Sequence, residues 1–296
     1  MCIRDSSREE ELDVETLSCL RYLPGRRTVW KVSCQGHEVL LKVFEPHPKQ
    51  GRDADREWHH SSKLHAAGLT IPPPLFRAKG DGGLVAVAYH FIEDGRTLDK
   101  VLADADEETQ LECMRQLVVM HARQHAFGSY QSDDHLGNYL WSRGQLYMLD
   151  AGSCVLKPES LGLDERVKNM AMLTANIPMS RRPCFDRAYS QYEALCPEGI
   201  DKEAFERAME RAVPEAVIKR LWSYLRKTRR SSSKLERQDY PGRSWHACRD
   251  MVAGLKKRLL EDPEQFFTAV ERRVDWEAKG ASYSEVDLNA GGESYV

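Results

Sequence analysis

Between Leu20 and Phe44, short apolar runs alternate with turn residues. Arg21-Tyr22-Leu23 is followed by Pro24-Gly25, Thr28-Val29-Trp30-Lys31-Val32 by Gln35-Gly36, and then comes Glu38-Val39-Leu40-Leu41-Lys42-Val43-Phe44. Alternating runs of this length, separated by glycine-bearing turns, predict antiparallel strands joined by tight hairpins. A helix is expected over residues 53–67, because Asp53 and Asp55 suit a first turn and Gly68 a stop, and Pro72-Pro73-Pro74 ends any helix there. A second strand pair is expected over residues 75–78 and 84–92, joined by Lys79-Gly80-Asp81-Gly82-Gly83. After Gly95 the period becomes helical: Leu98, Val101 and Leu102, then Leu111, Met114, Leu117, Val118 and His121 recur at three- and four-residue steps. One short hairpin follows, and beyond residue 160 the pattern reads as helices almost throughout.

The fold class that follows is α+β, with two lobes: a small antiparallel β-rich N-terminal lobe over residues 8–95 and a larger, mainly helical C-terminal lobe over residues 96–277. Residues 1–7 resemble translated sequencing adapter and are expected to be a non-native leader. Residues 278–296 are rich in Gly, Ser and Glu and are expected to be a disordered tail. No internal repeat is visible.

Composition narrows the field. A chain of 296 residues with 41% hydrophobic residues can bury a sizeable core. With 43 basic and 46 acidic residues the net charge is −3, so only local clusters can argue for a charged partner. No window approaches the roughly 18 uninterrupted apolar residues of a spanning helix, and the N-terminus has no signal-peptide core; a cytoplasmic protein is expected. The eight cysteines are scattered without C-x-x-C pairs or zinc-type histidine spacing, which predicts reduced, mostly buried thiols.

The strongest chemical signal is Asp133, five residues before Asn138. After it come an apolar strand, a Ser142-Arg143-Gly144-Gln145 turn, and a second strand, Leu146-Tyr147-Met148-Leu149, ending in Asp150-Ala151-Gly152. Phosphoryl transfer needs a carboxylate facing the acceptor hydroxyl, and an amide oxygen plus a second carboxylate on the metal that bridges the nucleotide phosphates. An Asp and an Asn five apart on one loop can point into one cleft, and the hairpin returns Asp150 beside Asn138. Gly152 is expected to let the chain turn sharply after delivering that ligand. Taken singly, the same segments are an ordinary polar loop and hairpin exit; in combination they favour the phosphotransfer reading.

Lys42 stands among apolar strand residues, on the face opposite Leu41 and Val43. It either snorkels at a sheet edge or enters a cleft to meet phosphate. A carboxylate on the following helix would fix it, and Glu57 is favoured over Asp53 and Asp55, which helix capping accounts for. Where a glycine-rich phosphate loop is expected, the chain offers only Pro24-Gly25-Arg26-Arg27-Thr28-Val29. One glycine makes no G-x-G-x-x-G fingerprint; Arg26 and Arg27 are then either phosphate contacts or a solvated turn.

With these residues assembled, the chain resembles the lipopolysaccharide core kinase family, the Kdo and heptose kinases with a protein-kinase-like fold. The resemblance rests on Gly25-Arg26-Arg27-Thr28-Val29-Trp30, Leu41-Lys42-Val43, Arg56-Glu57 and residues 128–140 and 146–152, and covers about residues 20–240. It implies ATP and Mg²⁺ as cofactors, with a heptose or Kdo hydroxyl of the bacterial inner core, or a lipid-linked precursor, as acceptor. It further implies that Lys42 contacts the nucleotide phosphates with Gly25, Arg26 and Arg27 nearby, that Glu57 partners Lys42, that Asp133 is the catalytic aspartate, and that Asn138 and Asp150 hold the metal. Two departures stand out: Gln131-Ser132 replaces the His-Arg of protein kinases, and Asp134 stands where a hydrophobic residue is usual. Control by activation-loop phosphorylation is therefore not expected, while the spacing to Asn138 still selects Asp133.

Two other functions remain open. Asp133-x-His135-x-Gly137-Asn138 is also similar to aminoglycoside and choline phosphotransferases, although these carry His-Gly before the aspartate. A pseudokinase scaffold in envelope stress response is the other alternative; against it, Lys42, Asp133, Asn138 and Asp150 are all present. A basic run, Lys219, Arg220, Arg226, Lys227, Arg229, Arg230, Lys234 and Arg237, is interleaved with Leu221, Trp222, Tyr224 and Leu225 in the part expected to be helical. It is either a solvated face or a cluster for an anionic substrate or the inner leaflet of the membrane. No nucleic-acid module is recognisable, and nucleic acid is not expected as a partner. His59, His60 and His65 lack the spacing of a metal pair and are expected at the surface or along the cleft.

Overall fold

The computed structural model describes residues 2–5, 11–23, 25–194, 201–228, 235–240 and 243–248. It is mixed α+β. Strands β1 (Cys2–Asp5), β2 (Glu11–Leu23), β3 (Arg27–Cys34) and β4 (His37–Phe44) precede helix α1 (Gln50–Ala66), and β5 (Pro74–Gly80) and β6 (Val85–His90) follow it. These six strands close into an antiparallel barrel in the order β1-β2-β3-β4-β6-β5, with β5 pairing back onto β1. The alternation in β4 is clean: Val39, Leu41 and Val43 point into the barrel core beside Val32, Ala78, Ala86 and Ala88. The β3–β4 hairpin closes on Gln35 and Gly36, both at positive φ (50° and 79°), the mirror-image turn that matches the twist of its strands.

Several boundaries differ from the pattern reading. β2 starts at Glu11, nine residues before the expected start of the strand region, and two register shifts in its pairing with β3 break its alternation. Residues Cys2–Asp5, set aside as leader sequence, form β1 between β2 and β5. α1 starts at Gln50, three residues before the expected 53, because the Gln50 side chain donates to the Phe44 and Gly83 carbonyls at 2.8 Å and anchors the first turn.

The helical part begins with a two-residue strand, β7 (Arg96–Thr97), then α2 (Leu98–Asp104) and α3 (Glu107–Phe127). Asp106 caps α3 through the Thr109 amide at 2.7 Å, a contact that also holds the Asp106 carboxyl below its ordinary range. Short strands β8 (Ser129–Gln131), β9 (Tyr139–Ser142), β10 (Gln145–Met148) and β11 (Cys154–Leu156) carry the polar loops, and α4 (Leu163–Asn176), α5 (Arg182–Ala194) and α6 (Lys202–Thr228) follow. Leu98, Leu102, Met114, Leu117, Leu146, Met170 and Phe185 belong to one continuous core in this part, each fully buried or nearly so, at about 1.5–3 kcal/mol per side chain. A third cluster, Phe44, Ala54, Val87 and Tyr89 with Leu40 and Trp58, seats α1 against the outer face of β4 and β6.

The chain forms two compact units, residues 1–217 and 218–296, and α6 belongs partly to each. The second unit is not all helical as expected. It contains an antiparallel hairpin, β12 (Leu235–Tyr240) and β13 (Arg243–Cys248), in which the polar-rich run Leu-Glu-Arg-Gln-Asp-Tyr pairs residue by residue with Arg-Ser-Trp-His-Ala-Cys. Strand pairing depends on a partner segment as much as on apolar alternation, and these strands lack the alternation. The expected tail over 278–296 lies outside the described residues.

Candidate functional site

Because Leu41 and Val43 turn into the barrel, Lys42 leaves the sheet on the side of α1. There its Nζ meets Glu57 Oε1, whose side chain is 2% exposed. Three further groups hold the Glu57 carboxylate: the Tyr89 hydroxyl donates to Oε1 at 2.7 Å, the Gly152 amide donates to Oε2 at 3.0 Å, and Arg27 stands 4.0 Å from Oε2. A buried carboxylate is tolerated only with such compensation. Burial, reinforced by the adjacent Glu57 charge, pushes the Tyr89 phenol well above its ordinary range and keeps it a hydrogen-bond donor. The other acidic residues of α1 face elsewhere, Asp53 toward Arg52 and Arg56 and Asp55 toward Arg77.

The β9–β10 hairpin turns on Arg143 and Gly144, again both at positive φ (49° and 80°), and returns the chain to the 131–138 loop. The Leu149 amide donates to the Asn138 carbonyl at 2.7 Å, and the Gln131 side-chain amide donates to the Leu149 carbonyl at 2.7 Å. Asp150 then adopts the left-handed conformation, φ 57° and ψ 49°. The sharp turn expected of Gly152 is thus made two residues earlier, by an aspartate, a residue type that tolerates this region. Gly152 has a different reason to lack a side chain: a Cβ there would strike the Glu57 carboxylate that its amide binds. Asp150 Oδ1 lies 3.1 Å from Arg27 and 3.6 Å from Lys42. Burial works to raise its pKa, but Lys42 and Arg27 outweigh it and hold the carboxyl at about 2.

In the 131–138 loop the two neighbouring aspartates have opposite surroundings. Asp133 is exposed, and no hydrogen bond or ion pair among the described residues engages its carboxylate. Asp134 is buried, accepting from the Tyr139 hydroxyl at 2.6 Å and lying 2.7 Å from His121 Nε2, and its carbonyl accepts from Asn176 at 2.7 Å. Asp134 is therefore the post that supports the loop, and Asp133 is the carboxylate presented to solvent. Asn138 donates its side-chain amide to the Asp133 carbonyl at 2.7 Å, which leaves its Oδ1 oxygen available.

No protein-family model matches this chain, and no curated protein matches it.

The donor set suits a hard divalent cation. Asn138 Oδ1 and the second carboxylate oxygen of Asp150 are oxygen ligands of the kind Mg²⁺ takes, with water and phosphate completing its shell. Among the described residues no group of three His, Cys, Asp or Glu forms a metal cage of protein ligands alone. Gly25 and Arg26 lie on the β2–β3 turn and Arg27 opens β3; Gly25 donates its amide to Glu45 at 3.0 Å, Arg26 is exposed, and Arg27 reaches inward to Asp150. Of the basic run, Lys219 and Arg220 lie on α6 beside Ile218, Leu221 and Trp222, which are 55%, 49% and 60% exposed. Arg226 and Lys227 continue that helix, Arg237 belongs to β12 and not to a helix, and Arg229, Arg230 and Lys234 lie outside the described residues. His59 and His65 are exposed and His60 half-buried on α1, with burial holding the His60 imidazole below its ordinary range. Among the described residues no helix is long and apolar enough to cross a membrane.

Sequence reasoning passed over Tyr89, Gln131 and the His121–Asp134–Tyr139 network. His121 carried a signal: it falls on the apolar stripe of α3, where a polar side chain needs a buried partner. The partner, Asp134, was visible only as an oddity of the loop.

Proposed function

We propose that this chain is an ATP- and Mg²⁺-dependent phosphotransferase with a two-lobed, protein-kinase-like fold, related to the lipopolysaccharide core kinases, and that it phosphorylates a heptose or Kdo hydroxyl of the bacterial inner core. The observation that carries the reading is the convergence of Lys42, Glu57 and Asp150 from three separate elements, beside a loop that exposes Asp133 and aims Asn138 at the same return of the chain.

In this reading Lys42, steadied by Glu57, binds the nucleotide phosphates as a point charge. Asn138 and Asp150 would hold Mg²⁺, which would neutralise charge on the nucleotide phosphates. Asp150 is ionised at any physiological pH, as a cation ligand must be. Asp133 orients the acceptor hydroxyl and takes its proton as the oxygen attacks. Asp134 is committed to His121 and Tyr139 and cannot serve that role. The exposed Ile218, Leu221 and Trp222 beside Lys219 support a lipid-linked acceptor met at the inner leaflet.

The test is transfer from labelled ATP to truncated lipopolysaccharide cores, with a panel of aminoglycosides as the competing acceptors. Asp133→Asn is expected to lower transfer by about 10²–10⁴-fold without changing the melting temperature, since the carboxylate is exposed and unpaired. Near-parental turnover by Asp133→Asn would remove the assigned base, and transfer to an aminoglycoside alone would redirect the reading to a small-molecule kinase.

A further inference from the structure

Beside the Lys42–Glu57–Asp150 convergence lies a cavity of about 270 Å³ between the β2–β3 turn and the first turns of α1. Four arginines line it, Arg21, Arg26, Arg27 and Arg56, together with His47. Its three carboxylates, Asp53, Glu57 and Asp150, are already engaged. Asp53 lies 3.5 Å from Arg56 and 3.9 Å from Arg52, Glu57 is held by Lys42, and Asp150 by Arg27 and Lys42. Arg21 and Arg26 form no ion pair among the described residues. The wall therefore carries uncompensated positive charge on a concave surface, where field lines concentrate and anions are drawn in. The field of Arg21 reaches the centre of the site, since it contributes to keeping Asp150 ionised.

Guanidinium groups present paired donors that match the oxygens of a phosphate. The volume falls below the roughly 300–1,000 Å³ of sites that enclose a whole drug-sized ligand. The space thus suits a phosphate-bearing end, not a sugar and base. Arg21 comes from β2, Arg26 from the turn and Arg56 from α1, so the three approach from separate elements. Gly25, by contrast, gives its amide to Glu45, so the turn offers side chains in place of a backbone cradle.

We propose that this cavity is a phosphate-binding site read by arginine side chains, chiefly Arg21, Arg26 and Arg56. The identity of its phosphate rests on the phosphotransferase reading: it is the terminal part of the nucleotide or a phosphate carried by the acceptor, and the chemistry of recognition is the same for both.

Isothermal titration of the full chain with inorganic tripolyphosphate, without nucleotide or metal, tests the site itself. The double variant Arg21→Gln/Arg26→Gln, whose side chains are exposed and should not affect folding, is expected to weaken binding at least about tenfold, and Arg56→Gln to weaken it further. Unchanged affinity in the double variant, at a parental melting temperature, overturns the proposal. Steady-state transfer then separates the sources: a raised KM for ATP alone assigns the nucleotide, and a raised KM for the acceptor alone assigns the acceptor. Arginine-dependent tripolyphosphate binding in a protein that transfers no phosphoryl group would retain the anion site and defeat the phosphotransferase reading.

Discussion

Removing the Asp134 carboxylate should unfold the loop that presents Asp133, and the size of the effect follows from its surroundings. The side chains of Asp134 and His121 are both 0% exposed, and the carboxylate is the shared acceptor for the Tyr139 hydroxyl at 2.6 Å and the His121 ring at 2.7 Å. Asp134→Ala removes the carboxylate both groups share and leaves the Tyr139 hydroxyl and the His121 Nε2 with only their 3.3 Å contact to each other, a loss in the range of about 3–5 kcal/mol. For a domain of this size each kcal/mol lowers the melting temperature by about 2–4 °C, so a drop of about 6–20 °C is expected. Asp134→Asn should cost less. His121 Nδ1 sits 2.8 Å from the Leu117 carbonyl, which favours a proton on Nδ1 and leaves Nε2 free to accept from the new amide, while the amide oxygen still accepts from Tyr139. What is lost is the charge assistance of two hydrogen bonds, about 1–3 kcal/mol. Circular dichroism melts give the stability, and transfer assayed well below each variant's transition gives the activity. If Asp134→Ala melts with the parent and yet abolishes transfer, while Asp133→Asn is active, the two aspartates have exchanged roles and the reasoning fails.

Two further outcomes follow from the same structure. Stability should depend on pH through two neighbouring buried histidines that titrate in opposite senses. Burial, with the nearby His121 charge, holds His125 down to about 3, so its contribution is present above the unfolded value near 6.5 and is lost as pH falls toward 3, by about 5 kcal/mol. Burial opposes protonation of His121 too, but the Asp134 charge and hydrogen bonds to Asp134 and Leu117 outweigh it and raise its value; that contribution is present below about 6.5 and fades as pH rises through the raised value. Urea midpoints across pH 4–9 should fall on both sides of a maximum near neutrality, with His125→Gln flattening the acid limb; an acid limb identical in the variant would show that His125 does not set it. The α6 face should bind anionic surfaces: co-sedimentation with vesicles containing phosphatidylglycerol, absent with phosphatidylcholine alone and reduced by Leu221→Ser/Trp222→Ser, is the expected result, at about 1 kcal/mol per nearby cation. Binding that ignores vesicle charge or those two side chains would remove the membrane partner.

What could be read from the sequence was short in range. The alternation around Lys42 left its direction open, and Glu57 was favoured as its partner because helix capping accounts for Asp53 and Asp55; the structure pairs Lys42 with Glu57. The 133–138 spacing and the hairpin to Asp150 were legible because each is a local pattern. What was missed depends on groups far apart in the chain. The Gly152 amide meets Glu57 across 95 residues, and Arg27 meets Asp150 across 123. No local pattern encodes either contact, so Gly152 was assigned to a turn and Arg27 was left between phosphate and solvent. The β12–β13 hairpin was missed because its strands do not alternate.

Asp134 shows how a departure from a motif can be physically informative. A carboxylate where an apolar residue is usual first weakens the choice of Asp133, but a buried acid needs donors, and His121, among the polar residues buried on α3, is placed to supply one. Once that pair is recognised, the anomaly changes sign. The loop lacks the arginine and histidine of protein kinases, and its shape is fixed instead by His121, Tyr139 and Asn176 acting on the neighbour of the exposed aspartate. Constraining Asp134 on both its carboxylate and its carbonyl limits where Asp133 can point, and Asn138 closes the same turn by donating to the Asp133 carbonyl. A carboxylate held by its backbone and left free at its oxygens is the arrangement that a positioned general base requires.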